Sequence, residues 1–309
     1  MLINGGSKTM QPPVPEDIRN ILNQLRDQLQ EIREELQRLW FHLPTPENLL
    51  YQRGFSVIAS NPHEFLLLPP GGTRLEIDRY YRLLRRYSFR LFLRDVIRFK
   101  DKLELQRLLH YCSPAKANRY LQALVELSIV RPLGDGTFAY LANPAVSSFG
   151  DTLEWFVAET LSREFRIPSC WGLSVTGLGQ GGDFDVIGAL AGKLVYIETK
   201  ASPPKNLHMD VVQGFIRRVR QLRPELAILL VDTHLRMEDK INKMVRVAFR
   251  EVRPSATDFE SATVARGVFR MGPGLYTCNS KPAIHKNLRL CIRDFLSLET
   301  GCDGKDIAH

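Results

Sequence analysis

The sequence is poor in cysteine and in long hydrophobic runs, and each shortage excludes a class of protein. It has five cysteines in 309 residues, an odd number without the dense framework of a disulfide-stabilised secreted domain. No apolar run approaches the ~20 residues that span a bilayer, so no membrane partner is expected. The N-terminus lacks the hydrophobic segment of a signal peptide. The sequence therefore predicts a cytoplasmic protein with reduced thiols.

Closely spaced cysteine pairs are also missing. Cys278, His285, Cys291 and Cys302 are zinc ligands by residue type, but their spacing contains no Cys-x-x-Cys pair. We therefore expect no zinc site, and no residue is assigned to an organic cofactor.

Positive charge is in excess over the whole chain. There are 42 Lys and Arg against 34 Asp and Glu, which gives a formal net charge of +8 and a pI near 9.3. This excess suits an anionic partner, either nucleic acid or a membrane surface. The hydrophobic fraction of 44% is ordinary for a globular protein. The length allows about two compact domains with an extension.

Two neighbouring apolar segments carry acidic and basic residues at regular positions. They are residues 182–188 (Gly-Asp-Phe-Asp-Val-Ile-Gly) and residues 194–200 (Leu-Val-Tyr-Ile-Glu-Thr-Lys). Gly192 and Lys193 form a plausible turn, which predicts neighbouring antiparallel strands. Residues two apart on a strand share a face, so Glu198 and Lys200 lie side by side. The carboxylates of Asp185 and Glu198 can then converge on one cation.

This pattern suits the chemistry of phosphodiester hydrolysis. Mg²⁺ prefers a few carboxylates, with water and substrate phosphate in its other positions. The bound ion polarises the phosphate and makes bound water a better nucleophile. A neighbouring lysine orients or deprotonates that water and offsets developing charge. The alternative is a chance arrangement on a solvated hairpin.

These residues resemble the PD-(D/E)xK nuclease superfamily, which has the restriction-endonuclease-like fold. The pattern matches at Asp185, Glu198 and Lys200, although Phe184 replaces the first member of the family's leading Pro-Asp. The resemblance covers roughly residues 148–252. It implies a metal-dependent DNA endonuclease in which Asp185 and Glu198 bind Mg²⁺ or Mn²⁺ and Lys200 positions the attacking water. Members of this family sometimes keep the fold and lose activity, so an inactive DNA-binding regulator remains an alternative.

The family also has a helix before the first of these strands, often with a glutamate that faces the metal. Residues 152–165 are predicted to be that helix, with one apolar face formed by Val157, Ala158 and Leu161. Glu154 lies on the same face, and we expect it to complete the metal shell. Glu159 falls well away from it and is expected to be solvated.

A second helix, predicted at residues 207–222, follows the Glu-x-Lys strand and precedes a buried strand at Leu226–Val231. Gln213 lies on this helix, where several relatives carry another polar residue that faces the site. It is a further candidate catalytic residue, and the alternative is a glutamine on the helix surface.

The N-terminal part of the sequence predicts a helix that pairs with other helices. Residues 1–14 are rich in Gly, Ser and Pro and are expected to be disordered. Residues 15–43 contain a heptad seam, formed by Ile18, Leu22, Leu25, Leu29, Ile32, Leu36 and Leu39. We expect a coiled coil and a homo-oligomer of undetermined size; the alternative is a single helix docked on its own chain.

Arginine recurs every four residues in the region that follows the connecting segment 44–78. The members of this series are Arg82, Arg86, Arg90, Arg94 and Arg98. On a helix they make one basic stripe, which predicts nucleic-acid contact. Ser88 is a possible N-cap that would divide the stripe. The alternative is a solvated face with pairs to acids such as Asp78 and Asp95.

Residues 79–147 predict a DNA-binding module of the winged-helix type. A helix is expected at 102–111, and another at 116–127 follows the N-cap Ser113 and Pro114. A hairpin turns at residues 134–136. The pattern resembles the winged-helix family, which implies that Lys116, Asn118 and Arg119 reach DNA. Winged helices also serve as protein-interaction modules, so an assembly protein is a third interpretation.

The predicted fold class is α+β or α/β, with several domains. It comprises the coiled-coil helix, the winged helix and a restriction-endonuclease-like core with a mixed sheet at 148–252. Residues 253–300 form a C-terminal extension that either enlarges the sheet or contacts a partner. Residues 301–309 are expected to be a disordered tail.

Overall fold

The structure is a computed structural model, and it describes residues 16–177, 182–252 and 261–299. The chain divides into two compact units, residues 1–43 and residues 44–309. The predicted fold class is confirmed: the chain is α+β, with an N-terminal helix, a large mixed sheet and a small sheet. In these ranges no helix is both long and apolar enough to cross a membrane. The segments predicted to be disordered, 1–14 and 301–309, lie outside the described residues, as does Cys302.

The first unit contains one long helix, α1 (Glu16–His42). Its acidic first turn, Glu16 and Asp17, interacts favourably with the helix dipole. Every side chain from residue 16 to residue 36 is exposed, and Leu29 in the predicted seam is 66% exposed. Exposed apolar stripes of this kind mark interaction surfaces. Pairing through the seam stays a prediction, and the side chain of Leu39 lies outside the described ones.

The second unit contains helices on both sides of a large sheet. The helices are α2 (Pro46–Tyr51), α3 (Arg74–Leu84), α4 (Tyr87–Arg98), α5 (Pro114–Glu126), α6 (Gly150–Phe165), α7 (Met209–Leu222), α8 (Lys243–Val252) and α9 (Ile284–Glu299). The strands are β1 (Ser56–Ala59), β2 (Leu103–Glu104), β3 (Val130–Gly134), β4 (Thr137–Tyr140), β5 (Ser169–Thr176), β6 (Asp183–Leu190), β7 (Lys193–Lys200), β8 (Leu226–Val231), β9 (Ala262–Ala265), β10 (Val268–Gly272) and β11 (Leu275–Asn279).

The large sheet has the strand order β1-β5-β6-β7-β8-β11-β10-β9. Strand β8 runs parallel to both of its neighbours, β7 and β11, whereas the other neighbouring pairs are antiparallel. The predicted connecting segment supplies the edge strand β1. The predicted C-terminal extension adds three strands beyond β8, which answers a question that the sequence left open.

Two hydrophobic cores cover the two faces of this sheet. Alternate residues of a strand point to opposite faces. Accordingly, Val195 and Ile197 of β7 pack in the core that contains α6, whereas Tyr196 packs in the core that contains α7. All six residues of β8 are buried, as expected for a parallel strand covered on both faces. The sheet is therefore the middle of three layers.

The small sheet, with strand order β2-β4-β3, lies beside α4 and α5. The helix predicted at residues 102–111 is wrong: a 3₁₀ turn at Leu105–Leu108 follows the two-residue strand β2. The reason is that Leu103 is buried and pairs with Phe138 of β4. Ser113 precedes α5 and Pro114 begins it, as predicted.

One hydrophobic core crosses the predicted boundary between residues 147 and 148. It contains Phe89 and Tyr120 of the helical region together with Phe156 of α6, Ile228 of β8 and Phe295 of α9. The helical region therefore packs directly on one face of the large sheet.

Candidate active site

The hairpin of β6 and β7 places two acidic residues opposite each other. Its turn, Ala191 and Gly192, has positive φ values of 48° and 79°, typical of the tight turns that join antiparallel strands. Val186 pairs with Ile197 in the register of the two strands. Asp185 and Glu198 are the next residues beyond this pair, and both carboxylates lie near Nζ of Lys200.

Lys200 lies between these two carboxylates. Its Nζ is 2.7 Å from Oε1 of Glu198 and 3.8 Å from Oδ2 of Asp185. The backbone N–H of Thr199 donates to Oδ2 of Asp185 at 2.8 Å, which fixes that carboxylate against β7. Glu198 is only 1% exposed. The structure thus brings the three residues of the sequence motif into one group, in which Glu198 is buried and Asp185 and Lys200 are half-buried.

Two further residues contact Glu198 that the sequence interpretation missed. The hydroxyl of Tyr196 donates to Glu198, and Nη1 of Arg218 on α7 lies 3.2 and 3.3 Å from its two carboxylate oxygens. Tyr196 lies two residues before Glu198 and shares its face, so strand alternation alone could have identified it. Arg218 has no such local signal, because its contact depends on how α7 packs on the sheet.

Gln213 occupies a different position from the one expected. Its Nε2 donates to Oε2 of Glu251 on α8 at 3.0 Å, in an exposed contact. The residue of α7 that reaches the carboxylates is Arg218, five positions further along. The alternative assignment, a glutamine on the helix surface, describes Gln213 better.

Glu154 approaches the same group from α6. Its Oε2 lies 3.9 Å from the position that a Cβ atom would occupy if residue 172 were not a glycine. On β5, Trp171 pairs with Val186 and Leu173 pairs with Phe184 of β6. Gly172 lies between the two β5 residues, and Asp185 lies between their two partners. Glu154 is half-buried. In contrast, Glu159 forms an ion pair with Arg163 on its own helix and is not fully solvated.

Burial has the largest effect on the pKa values of the two carboxyls at this site that are shifted, those of Glu154 and Asp185. Burial, reinforced by the negative charge of Asp185, raises the pKa of Glu154 to about 9. Burial and the neighbouring Glu198 raise the pKa of Asp185 to about 6. Burial lowers the pKa of Lys200, but Asp185 and Glu198 outweigh it and the pKa is raised. The charged forms of Glu154 and Asp185 are therefore disfavoured at this site, and a bound cation would favour them.

The donors suit a hard divalent cation, because Mg²⁺ and Mn²⁺ prefer carboxylate oxygens. Burial is the main cause of the raised pKa values of Glu154 and Asp185, and a bound cation would favour their charged forms. Within the described ranges, no three or more His, Cys, Asp or Glu side chains form a ready-made metal cluster. Glu198 is instead in contact with two cationic side chains, those of Lys200 and Arg218.

The predicted arginine stripe is broken in the structure. Helix α3 ends at Leu84 and α4 begins at Tyr87, so the series does not lie on one helix, and Ser88 lies inside α4 instead of capping it. The assignment of Arg90 and Arg94 to nucleic acid is wrong. Arg90 is 0% exposed, and both residues pair with the buried Asp232 at 2.6 Å. The other members of the series, Arg82, Arg86 and Arg98, are exposed.

The candidates on α5 lie on an open surface. Asn118 and Arg119 are exposed, and Lys116 is half-exposed. The Nζ of Lys116 lies 5.9 Å from the centre of the Tyr120 ring. Ala117 and Tyr120 are the buried neighbours of these candidates on α5, and the exposed Asn118 and Arg119 are available to a partner.

Comparison with known proteins gives only remote similarities. No protein-family model matches the sequence, and no curated protein matches it. Protein VC1899 from Vibrio cholerae is 19% identical, with a TM-score of 0.45 over 81% of this chain and 61% of that chain. Can2 from Sulfobacillus thermosulfidooxidans, solved in complex with cyclic tetra-adenylate, is 12% identical, with a TM-score of 0.46 over 80% of this chain and 60% of that chain. The chain thus spans about three fifths of the length of each.

Proposed function

We propose that the protein is a metal-dependent deoxyribonuclease of the PD-(D/E)xK type. The observation that carries this proposal is the partly buried group formed by Asp185, Glu198 and Lys200, in which Lys200 contacts Glu198 at 2.7 Å. Strongly shifted pKa values in a cluster of this kind favour a functional site. The residues match the superfamily's motif in type, order and strand position.

Each residue of the group has a distinct role in this proposal. Asp185, Glu198 and Glu154 hold Mg²⁺ or Mn²⁺, which when bound polarises a phosphate and lowers the pKa of bound water. Lys200 donates a hydrogen bond to the attacking water or to a phosphate oxygen, where it offsets developing charge. The N–H of Thr199 keeps Asp185 in place.

We assign DNA contact to the helical region with the small sheet, in which α4, the 3₁₀ turn at Leu105–Leu108 and α5 precede the hairpin of β3 and β4. In this assignment Lys116, Asn118 and Arg119 of α5 face the duplex. Arg82, Arg86 and Arg98 contribute positive charge at its edge. Arg90 and Arg94 take no part, because both pair with Asp232.

We assign self-association to α1. Duplex cleavage requires two strand cuts, and a dimer brings two sites to one duplex. Replacing Leu25 and Leu29 by Lys puts charge into the exposed apolar seam, so light scattering should show a shift in mass toward monomer. Glu31 and Glu34 lie off the seam, and replacing both by Lys is the matched control. An unchanged mass in the Leu25/Leu29 variant would remove α1 from the oligomer interface.

The decisive experiment is a cleavage assay on plasmid, linear and single-stranded DNA, with Mg²⁺, with Mn²⁺ and with EDTA. Cleavage that requires the metal and disappears in Asp185→Ala is the expected result. Asp183→Ala is the matched control, because Asp183 lies on the same strand but is exposed. Equal cleavage by Asp185→Ala and wild type would refute the assignment of the site.

A DNA-binding regulator without catalytic activity is the second candidate. The observation in its favour is that Lys200 and Arg218 already neutralise Glu198. Metal titration by calorimetry separates the two candidates. Binding of Mn²⁺ that is lost in Glu198→Gln supports the nuclease, and an absence of binding together with intact DNA affinity supports the regulator.

A further inference from the structure

A separate cavity lies beside the first turns of α4 and α5. Its volume is about 350 Å³. It is lined by Leu83, Arg86, Ser88, Lys116, Arg119 and Tyr120. None of these residues belongs to the candidate active site, so the cavity needs its own explanation.

The charge of this cavity is entirely positive. Within the part of the chain that the structure describes, Arg86, Lys116 and Arg119 form no ion pair with a carboxylate. Two arginines from the preceding stretch behave differently, since Arg79 pairs with Glu126 and Arg85 with Glu164. The three cations that line the cavity thus have no acidic partner among the described residues, whereas the nearby Arg79 and Arg85 each have one.

The two helix starts strengthen this positive potential. Neither α4 nor α5 has an acidic residue in its first turn, and neither has a side-chain hydrogen bond at its N-cap. Helix N-termini carry partial positive charge, so a cation placed there is unfavourable. Arg86 is the N-cap of α4, and Lys116 lies in the first turn of α5. An anion in the cavity would remove this unfavourable charge.

The cavity also contains hydroxyl groups that can contact an anion. The Oγ of Ser88 and the hydroxyl of Tyr120 are hydrogen-bonded to each other at 2.8 Å. Each hydroxyl has one proton and two lone pairs, so the hydroxyl that accepts in this pair can donate its own proton to a bound oxyanion. Three cations and one hydroxyl proton make a concave, oxyanion-selective lining.

We propose that this cavity binds a phosphate monoester, supplied by the phosphorylated end of a nucleic-acid strand. A monoester carries about −1.5 to −2 charges at neutral pH and three terminal oxygens, whereas an internal diester carries one charge. Three unpaired cations match the monoester better. A concave site also receives a terminal group more readily than a strand that continues in both directions. The inference rests on the proposed function only for the identity of the partner, a nucleic acid.

The test compares oligonucleotides of one sequence with a 5′-phosphate, with a 3′-phosphate or with no terminal phosphate. Anisotropy is measured in EDTA with the full-length Asp185→Ala variant, so the result does not depend on metal or catalysis. We expect one phosphorylated end to bind about tenfold more tightly, the effect of one charge-assisted hydrogen bond. The preference should weaken below pH 6, as the monoester takes up a proton.

Variants and competitors decide between the outcomes. Arg86→Gln and Arg119→Gln should remove the preference for the phosphorylated end, whereas Arg82→Gln and Arg98→Gln, outside the cavity, should weaken all three oligonucleotides equally. If millimolar adenosine monophosphate competes with the oligonucleotides, a free nucleotide is the source of the monoester. If it does not compete, the source is a strand end. Equal binding of all three oligonucleotides by Asp185→Ala protein, or a preference that survives in Arg86→Gln, would overturn the proposal. Neither outcome would affect the nuclease assignment.

Discussion

Two charge clusters lie next to each other at the ends of β7 and β8 and differ in how their carboxylates are paired. We call the first the balanced cluster, because both carboxylate oxygens of Asp232 accept hydrogen bonds from arginine; it consists of Arg90, Arg94 and Asp232. The second, the candidate active site, consists of Glu154, Asp185, Glu198, Lys200 and Arg218. They are adjacent, because the N–H of Asp232 donates to the backbone oxygen of Lys200 at 2.8 Å.

The two clusters shift carboxylate pKa values in opposite directions. Burial would raise the pKa of Asp232, but Arg90 and Arg94 outweigh it and the pKa is lowered. At the candidate active site, burial and neighbouring carboxylates raise the pKa values of Glu154 and Asp185. Asp232 is thus held in its charged form by its two arginine partners. Glu154 and Asp185 are shifted toward their neutral forms, so we infer that the first cluster is structural and the second functional.

The largest effect is expected in catalysis. Asp185→Ala or Glu198→Ala should lower the rate of metal-dependent DNA cleavage at least ~10³-fold, because a lost metal ligand costs several kcal/mol of transition-state stabilisation. Initial rates on plasmid measure the effect, and circular dichroism verifies that each variant is folded. Substitution in the balanced cluster should not alter the chemistry of protein that remains folded. If Asp232→Asn lowered the rate as much as Asp185→Ala, the proposed division of roles would fail.

The balanced cluster should instead determine stability. Asp232→Ala leaves the buried Arg90 without its carboxylate partner, which should reduce the free energy of unfolding by about 3–5 kcal/mol. Urea denaturation followed by fluorescence measures this loss. Glu126→Ala removes the exposed partner of Arg79 and should cost less than about 1 kcal/mol. A cost for Asp232→Ala as small as that of Glu126→Ala would mean that the cluster is not a structural junction.

Sequence alone predicted the candidate active site better than the balanced cluster, and the reason is the range of the interactions. The group of Asp185, Glu198 and Lys200 depends on one tight turn and on strand alternation, both of which are local. Arg90 and Asp232 are 142 positions apart, and no local pattern joins them. The regular spacing of arginine therefore indicated a surface stripe where the fold buries two of its members.

The fold shows the same dependence on range. The strand Leu226–Val231 was predicted with its observed bounds, because a short apolar run is a local signal. The helix predicted at 102–111 was wrong, since the pairing of Leu103 with Phe138 needs a strand 35 residues away. Arg218 was missed for a related reason, because its contact with Glu198 depends on the position of α7 over the sheet.

An intermediate effect on stability is expected at Glu154 in the absence of metal. Its pKa in the folded protein is about 9, above the ordinary 4.5. The unfolded chain therefore releases its proton first, and folding stability should fall as pH rises between these two values. Glu154→Gln should remove this fall and exceed wild type at pH 8 by at least about 1.4 kcal/mol, the equivalent of one pKa unit.

Urea titrations at pH 5 and pH 8 measure this difference, with Glu159→Gln as the control. Glu159 pairs with Arg163, so its substitution should not stabilise the protein at either pH. Added Mg²⁺ should stabilise wild type more than Glu154→Gln, because Glu154 is a proposed ligand of the ion. The same pH dependence in wild type and Glu154→Gln would show that Glu154 is not the cause of the fall in folding stability with pH.

The smallest effect extends the comparison to cations that have no partner. Arg119 is exposed on α5, whereas Arg94 is held by Asp232 at 2.6 Å. Arg119→Gln should reduce the slope of log affinity against log salt by roughly 0.9 on duplex DNA, the value of one phosphate contact. It should leave the urea midpoint unchanged. Arg94→Gln should lower the midpoint and leave the salt slope unchanged, and the opposite pattern would reverse our assignment of these two arginines.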